Sequence, residues 1–192
     1  MTHCRAFWRW NGTQPPEING ARDVTKSNTY RVETFRSGEL GFLGYVDDDK
    51  VSFYKASTKR HTSNSEFRVT PQTKFPRVEI VASYPQSSML PIRALVSDGV
   101  DGIIFASPGA GSLSAPELAT VKEIMSSQAP TKPILMRSSR TGNGRVTNRL
   151  AMDKLGLIPT DNLIAQKARI LLMLALTRTH DPKEIARIFS EY

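Results

Sequence analysis

Residues 78–137 alternate short apolar runs with stretches of helical spacing, and no other feature restricts the fold as much. VEIVASY (78–84), GIIFAS (102–107) and ILMR (134–137) are the runs. Apolar runs of this length, separated by about a dozen residues of 3.6-residue periodicity, indicate a parallel sheet covered by helices. The strand C-termini then share one edge, where α/β domains usually bind ligands. In the first intervening stretch Pro91 suits a first helical turn, which needs no amide donor there. Ile92, Leu95 and Val96 follow as an apolar stripe, and Ser97-Asp98-Gly99 ends it. In the second, Ser114 and Glu117 stand at capping-box spacing ahead of Leu118, Val121, Ile124 and Met125. The expected class is α/β, with a small, flavodoxin-like, three-layer parallel sheet and flanking helices.

The chain of 192 residues has room for one ordinary domain and an appendage. No apolar stretch approaches the roughly 20 residues of a membrane helix, so no membrane partner is expected. MTHCRAFWRW lacks the apolar centre of a signal peptide, which points to the cytoplasm for the chain as written. The single cysteine, Cys4, excludes an internal disulfide framework and a cysteine-based zinc site. The formal net charge of +8 raises the question of nucleic acid. The excess is concentrated in the last third, where Arg137, Arg140, Arg145 and Arg149 cluster. No aromatic residues interleave with them, so a solvated or interface face is expected and a nucleic-acid partner is not.

Residues 1–17 fit no period of 2 or 3.6 and read as a disordered or loosely docked opening, with Cys4, Trp8 and Trp10. TYRVETF (29–35) reads as a strand, and LGYV (43–46), Asp47-Asp48-Asp49 and KVSFYKA (50–56) as a hairpin. Three strands without a second layer leave an apolar face bare. The aspartate run lacks the ligand spacing of a calcium loop and reads as a solvated turn. Residues 57–76 have linker composition. Neither His61 nor the other histidines have neighbours at metal-ligand spacing, so no metal is expected. Gly142-Asn143-Gly144 marks a turn. NLIAQKARILLMLALTRT (162–179) is a long helix whose second half is apolar nearly all round. Asp181, Pro182 and Glu184 then open a final amphipathic helix carrying Ile185, Ile188, Phe189 and Tyr192.

Several of these stretches, in order and spacing, resemble bacterial L-asparaginases and glutaminase-asparaginases. They are ARDVTKSNT (21–29), LGYV, KRHTS (59–63), ALVSDGVDGI (94–103), MRSSRTGNG (136–144), QKARILLMLALTRT (166–179) and DPKEIARIFSEY (181–192). The resemblance covers residues 18–192. It implies a carboxy-terminal α/β domain at 77–192, preceded by a linker (57–76) and by the last strands of a larger amino-terminal domain (18–56). The family hydrolyses the side-chain amide of asparagine, and often of glutamine, without a cofactor. It works as a homo-oligomer and has cytoplasmic and periplasmic members.

The resemblance also implies site residues. The family's catalytic lysine, in its version of DVTK, falls on Lys26. A lysine held near a threonine hydroxyl and a carboxylate can assist proton movement. A substrate-binding contribution into a neighbouring subunit's site comes from the loop after the second strand, PGAGSLS (108–114), where Ser112 aligns. Read from its residues alone, that loop is a polar element with two glycines before a helix N-terminus, or else an ordinary βα turn. The family's glutamate for the substrate amino group aligns near Thr147 to Arg149, where this chain has no carboxylate. The segments carrying both threonines, the tyrosine and the aspartate of the family site have no counterpart. Thr2 and Thr13 sit in no family motif. The expectation is a carboxy-terminal half, truncated or frame-shifted ahead of Ile18 and inactive alone. The alternative is a non-catalytic α/β module that docks on a complete asparaginase subunit. A flavodoxin-like nucleotide binder is disfavoured, because there is no Walker loop and no G-x-G-x-x-G.

Overall fold

The computed structural model describes residues 16–48 and 50–192, so the expectations for residues 1–15 and for Asp49 lie outside the described residues. The chain divides between Glu66 and Phe67 into two compact units, with Tyr192 grouped with the first.

The described residues of the first unit form five short strands: β1 (Glu17–Ile18), β2 (Thr25–Lys26), β3 (Phe35–Arg36), β4 (Gly44–Asp47) and β5 (Lys50–Phe53). β1, β4 and β5 form one antiparallel sheet in that order, and β2 pairs with β3. The predicted hairpin is present, with Val46 opposite Val51 and Gly44 opposite Phe53. Gly44 has a packing reason, since a Cβ there would lie 2.0 Å from the Ser52 carbonyl oxygen.

Of the predicted strand at 29–35, only Phe35 joins a ladder, as the first residue of β3, and 29–34 form a loop. The Asn28 side-chain oxygen accepts the amides of Tyr30 and Arg31 at 2.8 and 3.0 Å, which curls the chain. Thr34 closes the loop, its hydroxyl accepting the Asn28 amide at 2.8 Å and donating back to the Asn28 carbonyl. Asparagine offers the backbone this local alternative to a ladder, and here it outweighs the strand preference of Tyr30 and Val32. Ile18, Val24 and Val46 are buried in the unit, whereas Val51, Phe53 and Tyr54 stay largely exposed, as the bare-face argument expects.

The second unit carries β6 (Val78–Ala82), α1 (Leu90–Ser97), β7 (Gly102–Ser107), α2 (Ala115–Ser126), β8 (Ile134–Ser139), α3 (Leu150–Asp153), β9 (Leu157–Pro159), α4 (Ala165–Leu176) and α5 (Pro182–Glu191). β6 to β9 form one parallel sheet in sequential order. The fourth strand was not predicted. Leu157 and Ile158 are bounded by Gly156 and Pro159, and only pairing with Leu135 and Met136 makes them a strand.

Alternation along the strands sends residues to two helical layers. Ile103, Phe105, Leu135 and Leu157 pack with Ile92 of α1 and Val121 and Ile124 of α2, and Met152 of α3 lies against them. The opposite face takes α4, which packs on β6, β7 and β8, while α5 packs on β9 and α4. Gly102 lets α4 approach, since a Cβ there would lie 2.7 Å from Leu172 Cδ2. This is the expected three-layer α/β architecture.

The final helices bury their apolar stripes inside their own unit. Leu172, Ala175, Ile185, Ile188 and Phe189 are each at most 2% exposed. Full burial of a Leu, Ile or Phe side chain is worth about 1.5–3 kcal/mol, so these stripes are covered within the unit, while Ile170 of α4 stays 53% exposed. Among the described residues, no helix is long and apolar enough to cross a membrane.

Candidate functional site

The parallel register places the C-terminal ends of β6, β7 and β8 on one edge, and the loop 108–114 rises from β7 there. Gly109 and Gly111 both have positive φ, 54° and 75°, which only glycine adopts without strain. The loop closes on itself through the Ser112 amide, which donates to the Pro108 carbonyl at 3.2 Å. Gly111 and Leu113 are buried on either side, while Ser112 is exposed. The hydroxyl of Ser112 is therefore offered to solvent from a backbone anchored at its neighbours.

Two buried charged groups hold this loop. Ser114 caps α2 and forms the predicted capping box with Glu117. Glu117 does more than cap, because it is fully buried. Its Oε2 accepts the Ser114 amide at 2.7 Å, the Ser114 hydroxyl at 2.8 Å and the Ser83 hydroxyl at 2.8 Å. Its other oxygen faces the Ser87 hydroxyl at 3.4 Å. The carboxylate thus joins the loop after β6 to the loop after β7.

The second holder is Arg137, and here the expectation of a solvated arginine face fails. Arg137 is fully buried, the largest such side chain among the described residues. It shares Leu135's face of β8, a strand buried along its whole length, so its side chain lies in the interior. Nη2 donates to the Thr147 carbonyl at 2.8 Å, and Nη1 reaches the Ala110 and Gly111 carbonyls at 3.5 and 3.4 Å. Burial pulls the guanidinium below its ordinary value; Asp153 opposes this, and Arg149 adds to it. Arg140, Arg145 and Arg149 are exposed, as expected, and Arg145 pairs with Asp161 at 2.7 Å.

Thr147 to Arg149 are exposed and carry no carboxylate. The nearest acidic residue along the chain, Asp153, accepts the Arg149 amide at 3.3 Å. Among the described residues, no cluster of histidine, cysteine and acidic side chains could hold a metal ion.

Lys26 lies in the first unit, at the end of β2 opposite Phe35, with its side chain exposed. The turn before it is set by the Gly20 carbonyl, which accepts the Asp23 and Val24 amides at 3.1 and 2.9 Å. The turn after it is closed by the Ser27 amide and hydroxyl on the Thr34 carbonyl at 2.7 and 2.8 Å. Lys26 is thus carried by a short ladder with bonded turns on both sides. Lys26 and Ser112 belong to different units, each arranged by its own contacts.

The geometry so far defines an α/β domain that presents an anchored polar loop at its strand C-termini, attached to a small antiparallel unit bearing an exposed lysine. Residues 77–189 match the Glutaminase/Asparaginase C-terminal domain, and the chain belongs to that family. L-asparaginase 2 of Escherichia coli (strain K12) is 40% identical over 173 residues, covering 89% of this chain and 49% of that protein. The glutaminase-asparaginase of Pseudomonas fluorescens biotype A is 36% identical over 183 residues, covering 94% of this chain and 49% of that protein. The crystal structure of a probable cytoplasmic L-asparaginase from Campylobacter jejuni superposes with a TM-score of 0.85 at 39% identity, covering 92% of this chain and 53% of that one. The chain therefore spans about half the length of the relatives it matches, as their carboxy-terminal half.

The resemblance implied Lys26 and Ser112 as site residues, and neither it nor the residues singled out Arg137 beneath the loop. Its one local mark is its place in an apolar run, two residues after Leu135; its partners are set by tertiary contacts.

Proposed function

We propose that this chain supplies the carboxy-terminal half of an L-asparaginase-type amidohydrolase. The reaction adds water to a side-chain amide of asparagine or glutamine, breaks the C–N bond, and yields the carboxylate and ammonium. Lys26 is the catalytic residue on this chain, its ammonium holding charge and assisting proton transfer beside a threonine hydroxyl. Ser112 is the substrate-binding residue, reaching a neighbouring subunit's site within a homo-oligomer. The observation that carries this reading is the loop 108–114, which fixes its backbone on both sides of Ser112 while leaving the hydroxyl free, in a chain of this family.

No threonine nucleophile is identified within the matched residues, so the chain alone is expected to release no ammonia. The test is ammonia release from asparagine and from glutamine by the purified chain, with Lys26→Ala alongside. The same assay is then run after mixing with the separately expressed amino-terminal half of a related enzyme. Activity only in the mixture, lost with Lys26→Ala, supports the reading. No activity in a mixture shown by sedimentation to assemble overturns it.

A second reading, a non-catalytic module that docks on a complete asparaginase subunit, draws support from the exposed Val51, Phe53 and Tyr54. It predicts binding to an intact relative without a Lys26-dependent gain in ammonia release.

A further inference from the structure

The geometry points to Arg137 as a positioning residue that locks two loops of the sheet edge, 108–114 and 145–149, into a single unit. Ser112 and the Thr147 segment are then presented together. The functional meaning of this coupling rests on the amidohydrolase reading; the coupling itself rests on the geometry.

A guanidinium stays charged at any physiological pH, and taking it out of water is unfavourable unless its donors are met. Burying Arg137 beside a carboxylate would meet that cost directly, yet its hydrogen-bond partners are all backbone carbonyls. Nε is buried without a partner. A methionine would fill a comparable space without the desolvation penalty. What the guanidinium adds is its rigid fork. One nitrogen addresses Ala110 and Gly111, and the other addresses Thr147. Neither loop alone occupies both arms.

An independent contact joins the same two loops. A Cβ on Gly111 would lie 2.7 Å from Val146 Cγ1 and 3.2 Å from Arg137 Cβ. Gly111 thus packs directly against the second loop as well as against the arginine stem. Val146, 1% exposed, is held in turn by its amide, which donates to the Asp161 carbonyl at 2.9 Å. The chain of contacts runs from Ser112 through Gly111 and Arg137 to Thr147, Val146 and Asp161.

Glu117 supplies the contrast. Its partners lie at Ser83, Ser87 and Ser114, so it holds the first loop and makes no hydrogen bond to the second. Removing Glu117 loosens 108–114 from the loop after β6 and leaves 145–149 held, whereas removing Arg137 releases 108–114 and 145–149 together.

The test is native-state amide exchange on the full chain, read at the Ser112 and Val146 amides and at β7 as an internal reference. Arg137→Met is expected to speed exchange at both Ser112 and Val146 by about tenfold or more while β7 is unchanged, the pattern of local opening. Arg137→Lys keeps the charge but loses the fork, so it restores protection at no more than one of the two amides. Glu117→Ala speeds Ser112 and leaves Val146 at its original rate. Faster exchange at only one amide in Arg137→Met, or at all three places equally, overturns the coupling. Should Arg137→Met fail to fold, Gly111→Ala decides the matter. Its Cβ wedges the loops apart with the charge intact, so Val146 must accelerate together with Ser112, and a Val146 rate that does not move overturns the proposal. These rates are independent of turnover. A mixture that releases no ammonia therefore sinks the amidohydrolase reading without touching the coupling, and unchanged exchange rates sink the coupling whatever the activity.

Discussion

The two units of this chain solve the burial problem differently. The second encloses a parallel sheet between two helical layers, and the apolar side chains facing those layers, such as Ile103, Phe105, Leu135 and Leu172, are at most 1% exposed. Among the described residues, the first has a three-stranded sheet with no helical layer, and Val51, Phe53 and Tyr54 are 51, 64 and 76% exposed. The apolar residues are of similar kinds in both. What differs is whether a second layer exists within the unit, which decides whether the same residue type stabilises the fold or promotes association.

The sharpest way to break this contrast is to truncate one residue in each unit. Leu172→Ala in α4 is expected to lose about 3 kcal/mol in denaturant unfolding, because it opens a cavity against Gly102 and β7. Phe53→Ala in β5 is expected to stay within about 0.5 kcal/mol, as exposed positions do. Equal losses would mean that Phe53 is covered after all.

Next in size is backbone strain at the edge of the second unit. Gly111→Ala forces a side chain into a positive φ and into Val146, and is expected to cost about 2 kcal/mol. Gly109→Ala meets open space and is expected to cost about 1 kcal/mol for its φ alone. Thermal unfolding of the pair separates strain from crowding.

The bare face of the first unit makes a prediction about association. Phe53→Ser with Val51→Thr is expected to reduce self-association in sedimentation and the binding of a hydrophobic dye. If the unaltered chain already sediments as a clean monomer and binds no dye, the face is not adhesive and the comparison weakens.

The smallest effect concerns a surface pair of the second unit, between Arg93 and Glu123. The hydrogen bond from Arg93 holds the Glu123 carboxyl below its usual range. A depressed carboxylate contributes stability above its unfolded pKa and loses it as pH falls through the folded value. Glu123→Gln should therefore narrow the stability difference between neutral and acidic pH, and only slightly, since both groups are exposed. A large loss at neutral pH would show that the pair is more than a surface contact.

Much of the second unit was legible in the sequence. The strand 102–107, the capping box at Ser114 and Glu117, and the final helix from Pro182 all rest on signals within a few residues. The hairpin around Asp47 and Asp48 was legible for the same reason. Most of the strand expected at 29–35 does not form because the Asn28 side chain, through two equally local amide contacts, outcompetes the β-favouring residues Tyr30 and Val32. For the site, the resemblance pointed to Lys26 and Ser112 and the residues themselves to a polar loop, but not to what holds that loop.

The sequence by itself determined the periodicities, the caps and the turn glycines, because helix and turn hydrogen bonds close over three or four residues. Tertiary structure alone decided the rest. Leu157 and Ile158 become a strand only beside β8. The stripes of α4 and α5 find cover only on the sheet. Arg137, which reads as one more surface cation, is buried because carbonyls 26 and 27 residues before it, and 10 after it, converge on one guanidinium. No local rule brings those three groups together; the register of β7 beside β8 and the bridge of Val146 to Asp161 do.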